Sequence, residues 1–174
     1  MEKGFTLIEL LIVIAIIAIL AGVVFVSLDP LKRFQSARNA ARWTDVTAVL
    51  SAIKVDQVDN GGSYLSAISG LTSGQNYMIS ANNTGAAAPV TGCNTNCSAV
   101  AAVDRCVLLE NGTVGLASEG YLSNVPISPD DPSAPTAWDA AHSGYYVSRD
   151  DAKQGAITVG ACSAEGGETI SVSR

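Results

Sequence analysis

Two hydrophobic periodicities follow one another along the N-terminal third of the chain. From Leu10 to Leu28 no side chain is charged, and only Gly22 and Ser27 fall outside the apolar set. Nineteen such residues, at about 1.5 Å each in a helix, reach roughly 28 Å, close to the ~30 Å hydrocarbon core of a bilayer. Ile, Val, Leu and Ala cover every face, so no polar stripe marks a side meant for water. This predicts a helix able to span a membrane. Asp29-Pro30 then interrupts the pattern: Pro30 must either kink the helix or open a new one at its first turn, with Asp29 as N-cap.

From Leu31 to Val58 the period remains helical but turns amphipathic. Trp43, Val46, Leu50 and Ile53 recur at three- and four-residue steps, a stripe suited to lying on a sheet, with Trp43 expected as a core anchor. Lys32, Arg33, Arg38, Arg42 and Lys54 occupy other positions. There is no sustained heptad, and Asp59-Asn60-Gly61-Gly62 is a strong stop. Residues 63–102 are poor in charge and dense in Gly, Ser, Asn, Thr and Ala, and read as a long loop with a short helix near Tyr64 to Leu71 and a brief apolar run at Tyr77-Met78-Ile79. Arg105 to Leu109 is a strand or a helix turn, Asn111-Gly112 a hairpin signal, and Thr113 to Leu122 either a return strand or a short helix. Tyr145 to Arg149 and Ala156 to Cys162 are better strands, joined as a hairpin across 150–155, and Ile170 to Val172 can add a short edge. A long helix followed by a small antiparallel sheet is an α+β layout.

One residue breaks the apolar N-terminal pattern. Glu9 lies about a turn from the helix start, where a carboxylate facing lipid costs several kcal/mol and is carried mainly when a partner awaits it. Lys3, six residues earlier, is not at the three- or four-residue spacing that aligns side chains. The remaining local cation is an amino terminus, this chain's own or a neighbour's, if Met1 to Gly4 were removed.

Lys3-Gly4-Phe5-Thr6-Leu7-Ile8-Glu9-Leu10 followed by an uninterrupted apolar helix resembles the class III signal of type IV pilins and of the related type II secretion pseudopilins. The resemblance implies a cut between Gly4 and Phe5 by a prepilin peptidase, methylation of Phe5 as the new first residue, and pairing of Glu9 with a neighbouring subunit's terminus. It also implies a ladle-shaped subunit: leader 1–4, transmembrane and filament-core helix 5–28, amphipathic helix 29–59, and a head over 60–174 containing a variable loop (63–102) and a sheet and C-terminal region (103–174). Many pilins carry a proline inside the apolar run; here Gly22 is the only weak helix former there. The competing readings are a secretory signal peptide cut near the small residues Ala18 to Ala21, or a plain signal anchor. The basic N-terminal region those need is only Lys3 offset by Glu2.

Composition changes the picture in two places. The net charge of -6 resides beyond Asn60, where ten acids face four bases, while residues 29–59 are slightly basic. An acidic head argues against intrinsic nucleic-acid affinity, which needs clustered Lys and Arg. Cys93, Cys97, Cys106 and Cys162 all follow the membrane segment, and an even number outside the cytoplasm reads as two disulfides with three connectivities. The favoured pairing joins Cys93 to Cys97 and Cys106 to Cys162. A zinc site is the weaker alternative, because Cys93-x3-Cys97 has only His142 to join it.

Gly120-Tyr121-Leu122-Ser123-Asn124-Val125-Pro126, Asp130-Asp131-Pro132 and Gly144-Tyr145-Tyr146 are similar, more loosely, to the C-terminal order of major pseudopilins and many bacterial pilins. Some major pseudopilins bind calcium there, and Asp130, Asp131 and Asp139 are suitable oxygen donors, though without EF-hand spacing. Asn82, Asn96 and Asn111 head glycosylation sequons. His142 sits in a polar turn with no nucleophile elbow or acid-base partner, and no phosphate loop or dinucleotide fingerprint occurs, so catalysis is not expected. The expectation is a filament subunit; a secretion pseudopilin and a membrane-anchored or secreted binding domain are its alternatives.

Overall fold

The computed structural model describes residues 4–80, 96–101, 105–110, 114–130 and 137–174. The chain divides into two compact units, residues 1–36 and 37–174.

In the first unit, α1 (Leu7–Leu28) is the apolar helix the sequence pattern predicts. Its side chains are exposed on all sides, from Leu7 and Ile8 to Phe25 and Val26. It ends at Asp29, which adopts a left-handed conformation (φ 37°). α2 (Pro30–Asp59) begins at once, with Pro30 in the first helical position, where its missing N–H costs nothing. Asp29 caps it: its carboxylate accepts from the Lys32 N–H at 3.4 Å and pairs with the Lys32 ammonium at 3.1 Å. The interruption is thus a break between two helices, with Asp29 as N-cap of the second.

The second unit contains the remainder of α2, a four-residue helix α3 (Ser66–Ser69) and, among the described residues, five strands: β1 (Asn76–Ser80), β2 (Cys106–Leu108), β3 (Tyr145–Asp150), β4 (Ala156–Ala161) and β5 (Ser171–Ser173). They form one sheet in the order β2-β1-β3-β4-β5. β3 and β4 are the predicted hairpin, closed by a 3-10 turn at Asp151–Lys153, and β5 is the predicted edge. The arrangement is α+β, as expected, but the sheet is mixed: β2 runs parallel to β1, while the other pairs are antiparallel.

β1 corrects the reading of 63–102 as loop apart from one short helix. Its Tyr77-Met78-Ile79 core lies between two neighbouring strands, with Met78 and Ile79 wholly buried. A strand covered on both faces shows a short apolar run instead of alternation, and its flanks of Gly, Ser and Asn mask it. Thr113 to Leu122 is neither strand nor helix over its described part: Glu110 and Gly115 form a single antiparallel bridge, followed by turns. The hairpin signal Asn111-Gly112 lies outside the described residues.

Both faces of the sheet are used, as the two-residue period requires. Ile79, Val107, Tyr145, Val147, Ile157 and Val159 pack with Val46, Val49, Leu50, Ala52 and Ile53 of α2 and with Leu116, Val125 and Ile170. On the other face Met78 joins Cys97, Val100 and Trp138, with Tyr146 and Cys162 beside them. Glycine is required where this second face is thinnest: a Cβ on Gly144, itself at φ 78°, would stand 2.7 Å from both Ser128 and the Trp138 indole. Gly160, opposite Tyr146 in the hairpin, leaves room for that ring.

Trp43 and Arg42 exchange the roles expected of them. Trp43 is 39% exposed, whereas Arg42 is completely buried. One helical position is about 100° of rotation, and the buried face of α2 runs through Asn39, Arg42, Val46, Val49 and Ile53. Arg42 can occupy it because its guanidinium finds a partner for every nitrogen. Nε donates to Ser128 Oγ at 3.0 Å, Nη1 to Asn39 Oδ1 and Glu165 Oε1 at 2.9 Å each, and Nη2 to the Pro129 carbonyl at 2.8 Å. Apart from Asn39, one turn earlier on the same helix, those partners arrive from more than 80 residues away, so periodicity along α2 could not announce them.

Candidate functional site

The start of α1 is where sequence and geometry concentrate. Thr6 is the N-cap, in extended conformation, and Glu9 is the third helical residue. Thr6-Leu7-Ile8-Glu9 is a Thr-x-x-Glu capping box: the Glu9 N–H donates to Thr6 Oγ1 at 3.4 Å, and Glu9 Oε2 accepts from the Thr6 N–H at 2.9 Å and the Thr6 hydroxyl at 2.8 Å. Two orphan donors of the helix start are satisfied within four residues. Glu9 therefore has a neutral local partner besides any cation, one that the Thr-x-x-Glu spacing encodes. The box engages one carboxylate oxygen with two donors, and the residue remains exposed, as does Phe5 at 78%. Gly4 has no heavy atom within 4 Å of where a Cβ would stand.

Behind the box lies the single helix, among the described residues, long and apolar enough to cross a membrane, with none of its most apolar window buried. A helix apolar on every side and covered on none must be completed by lipid or by other chains.

The cysteine pairing differs from the expected one. Cys97 is bonded to Cys162, with Cα atoms 4.9 Å apart and 65 residues between them in sequence. Cys106 is also disulfide-bonded. Both favoured pairs are thereby overturned, since each used one of the bonded partners; Cys93 lies outside the described residues. The reason is the sheet. Cys162 follows β4 on the face opposite α2, and the turn carrying Cys97 lies on that same face beside Met78 and Trp138. Short sequence separation lost to this packing.

Asp130 and Asp139, proposed oxygen donors, serve turns. Asp130 Oδ1 accepts from the Trp138 N–H at 2.9 Å. Asp139 Oδ1 accepts from the Ala141 and His142 amides and meets His142 Nδ1 at 2.8 Å. Burial pushes the Asp139 carboxyl up, but these hydrogen bonds outweigh it and hold it below the usual range. His142 is half-buried in that turn. Asp131 lies outside the described residues, and among those described no group of three or more His, Cys, Asp or Glu could hold a metal. Of the sequons, Asn96 is half-buried beside Cys97, and Asn82 and Asn111 lie outside the described residues. The depression lined by Asp29, Lys32, Arg33 and Ser36 is open to solvent and offers no enclosed site.

The buried cluster around Arg42 is the part that sequence reasoning missed. Glu165 Oε1 accepts from Arg38 Nε at 2.6 Å and from Arg42 Nη1 at 2.9 Å, and its Oε2 meets Arg38 Nη2. Asn39 bridges the Glu165 carbonyl and the Glu168 carboxylate at 2.9 Å each, and accepts the Glu165 N–H at 3.0 Å. Hydrogen bonds from Arg38 hold the Glu165 carboxyl below its ordinary value; burial opposes them, and Arg42 adds to the lowering. Below this cluster the Tyr145 hydroxyl donates to Asp45 at 2.5 Å, and burial, followed by that bond, pushes the phenol far up. No catalytic arrangement emerges: the residues pin α2 to the segments around Ser128 and Glu165.

Comparison with known proteins picks out the same N-terminal stretch. Residues 1–25 match the model of the prokaryotic N-terminal methylation motif. No curated protein and no solved structure matches the chain. The N-terminus thus carries the class III signal of type IV pilins and pseudopilins.

Proposed function

We propose that this chain is a structural subunit of a type IV pilus-like filament, made as a membrane-anchored precursor and assembled through its N-terminal helix. The observation that carries the reading is the methylation motif over residues 1–25, continued by a helix whose apolar side chains are exposed on every face. In this reading a prepilin peptidase removes the leader 1–4 by cutting after Gly4, and Phe5 becomes the methylated terminus. Residues 5–28 hold the precursor in the cytoplasmic membrane with the head, 60–174, outside, and 29–59 lead into that head. An assembly platform in the membrane then transfers the helix from lipid to a core built of identical or related helices, and the subunit reaches the cell surface.

Glu9 sets the register of that transfer. The capping box satisfies Glu9 Oε2 with neutral donors, so a carboxylate charge remains to be neutralised in an apolar core. The Phe5 ammonium of a neighbouring subunit supplies the opposite charge. In a low-dielectric core each group is heavily penalised without the other, so one axial offset between subunits is favoured. The role is structural, with neither catalysis nor intrinsic nucleic-acid binding.

A second reading, the major pseudopilin of a type II secretion system, is favoured by Gly120 to Pro126, where the half-buried Tyr121 and Leu122 and the buried Val125 pack against the head core. Mass spectrometry of the N-terminus, on protein from cells supplying the peptidase, tests the common premise: a chain starting at Phe5 with one added methyl is expected, and an intact Met1 or a start near Gly22 overturns it. Imaging of sheared cell surfaces separates the two readings, long fibres favouring a pilus.

A further inference from the structure

The buried face of α2 within the second unit is built in two halves. From Ala37 to Asp45 the only buried side chains are Asn39 and Arg42, both polar. From Val46 to Ile53 the buried side chains Val46, Val49, Leu50, Ala52 and Ile53 are all apolar. The first half is therefore held by directional polar bonds and the second by packing, and these fail under different conditions. One residue receives more of the first half's polar bonds than any other: Glu165 takes Arg38 and Arg42 through its carboxylate, and Asn39 through its carbonyl and N–H. Ser128 and the Pro129 carbonyl complete Arg42, Glu168 completes Asn39, and Asp45 meets Tyr145 at the lower boundary.

The loop that carries Glu165 is fixed independently of α2. Residues 162–169 connect β4 to β5, whose pairing ends in the Ala161 N–H to Ile170 carbonyl bond at 2.9 Å. The Cys162 N–H donates to the Gly144 carbonyl at 2.8 Å, and its sulfur is bonded to Cys97. Ile170 at the far end is buried in the core. One jaw of the contact is thus anchored by a disulfide, a sheet and a core residue, and the other is a helical segment with no apolar anchor of its own.

We propose that residues 37–45 of α2 form a releasable segment, clasped to the rest of the unit by Glu165, which opens by movement of the helix away from a stationary loop while Val46 to Ile53 stay seated. Closed, one carboxylate is shared by two arginines, one of them wholly buried. Open, Arg38, Asn39 and Arg42 gain water. Removing the Glu165 charge leaves Arg42 buried without its counter-ion, and the least costly relief is exposure of that segment, since no packed apolar surface is lost with it. This rests on the second unit alone and stands apart from the filament reading.

The test is hydrogen–deuterium exchange read by mass spectrometry on the full chain in detergent at neutral pH, comparing wild type with Glu165→Gln. Peptides within 37–45 are expected to exchange at least tenfold faster in the variant, with those in 46–56 and 145–161 unchanged and 163–169 changed less than 37–45. Unchanged exchange in 37–45 overturns the proposal. So does equal acceleration in 46–56 and the strands, which would make the clasp part of one cooperative core, or acceleration confined to 163–169, which would make the loop the moving jaw. Should Glu165→Gln fail to fold, Arg38→Lys keeps the charge but loses the two-pronged contact; a several-fold acceleration confined to 37–45 supports the proposal, and none overturns it.

Discussion

A guanidinium with no exposed surface is costly to hold, and Arg42 is held by four hydrogen bonds to four residues. Removing its counter-charge by Glu165→Ala is expected to cost about 3–5 kcal/mol, the range for breaking a buried ion pair from one side, as read by denaturant unfolding. Replacing Arg42 and Glu165 together with apolar residues of similar volume should cost much less, because the wholly buried charge is then gone and Arg38, 22% exposed, keeps access to water. The pH dependence follows from the direction of the Glu165 shift. Its carboxyl is held below the ordinary glutamate value of about 4.5, so the unfolded chain takes up the proton first on acidification. The stabilisation is complete above about pH 4.5 and is lost as pH falls through the lower folded value. Thermal melts of wild type and Glu165→Gln from pH 7 downward should therefore converge at acid pH, and a constant gap would contradict this. At the other end of the chain, Glu9→Leu is expected to leave membrane insertion intact and abolish filaments on the reading proposed above. Thr6→Val, which removes the hydroxyl of the capping box, should weaken the helix start by about 1 kcal/mol; helicity of the two variants by circular dichroism, set beside filament yield, separates capping from assembly.

Among the elements, the strands that read most clearly were those with regular alternation. β3 and β4 alternate apolar with small or polar residues and were recognisable; β1, covered on both faces, was not, because an inner strand shows no alternation to detect. The two turns of α2 around Arg42 were misread for a related reason: a polar residue on a buried face looks like solvent-facing sequence until its partners are known. The disulfide was misassigned because proximity along the chain stood in for proximity across a sheet face. Cys97–Cys162 closes a 65-residue separation, and chain-entropy reasoning gives about 4 kcal/mol for its removal by paired Ser substitutions. Gly144→Ala places a methyl against Ser128 and the Trp138 ring in a left-handed conformation. It should destabilise by a few kcal/mol, about as overpacking and backbone strain together cost, measurable as a lowered denaturant midpoint with unchanged slope.

Across the whole molecule the two units are stabilised by different means. The second unit has an internal core on one sheet face and a second cluster, with a disulfide, on the other. In the N-terminal unit no described side chain of α1 is buried, and the methylation motif covers residues 1–25. The amino-acid sequence by itself determined the N-terminal signal, the apolar and then amphipathic helical segments, the β3–β4 hairpin and the α+β class, because each depends on residues adjacent in the chain or repeating at a fixed step. Only the tertiary structure decided which residue of α2 goes inside, which cysteines pair and which way β2 runs. Those outcomes depend on partners brought from 28 to more than 120 residues away, and a buried charge or a disulfide is settled by what stands opposite it in space.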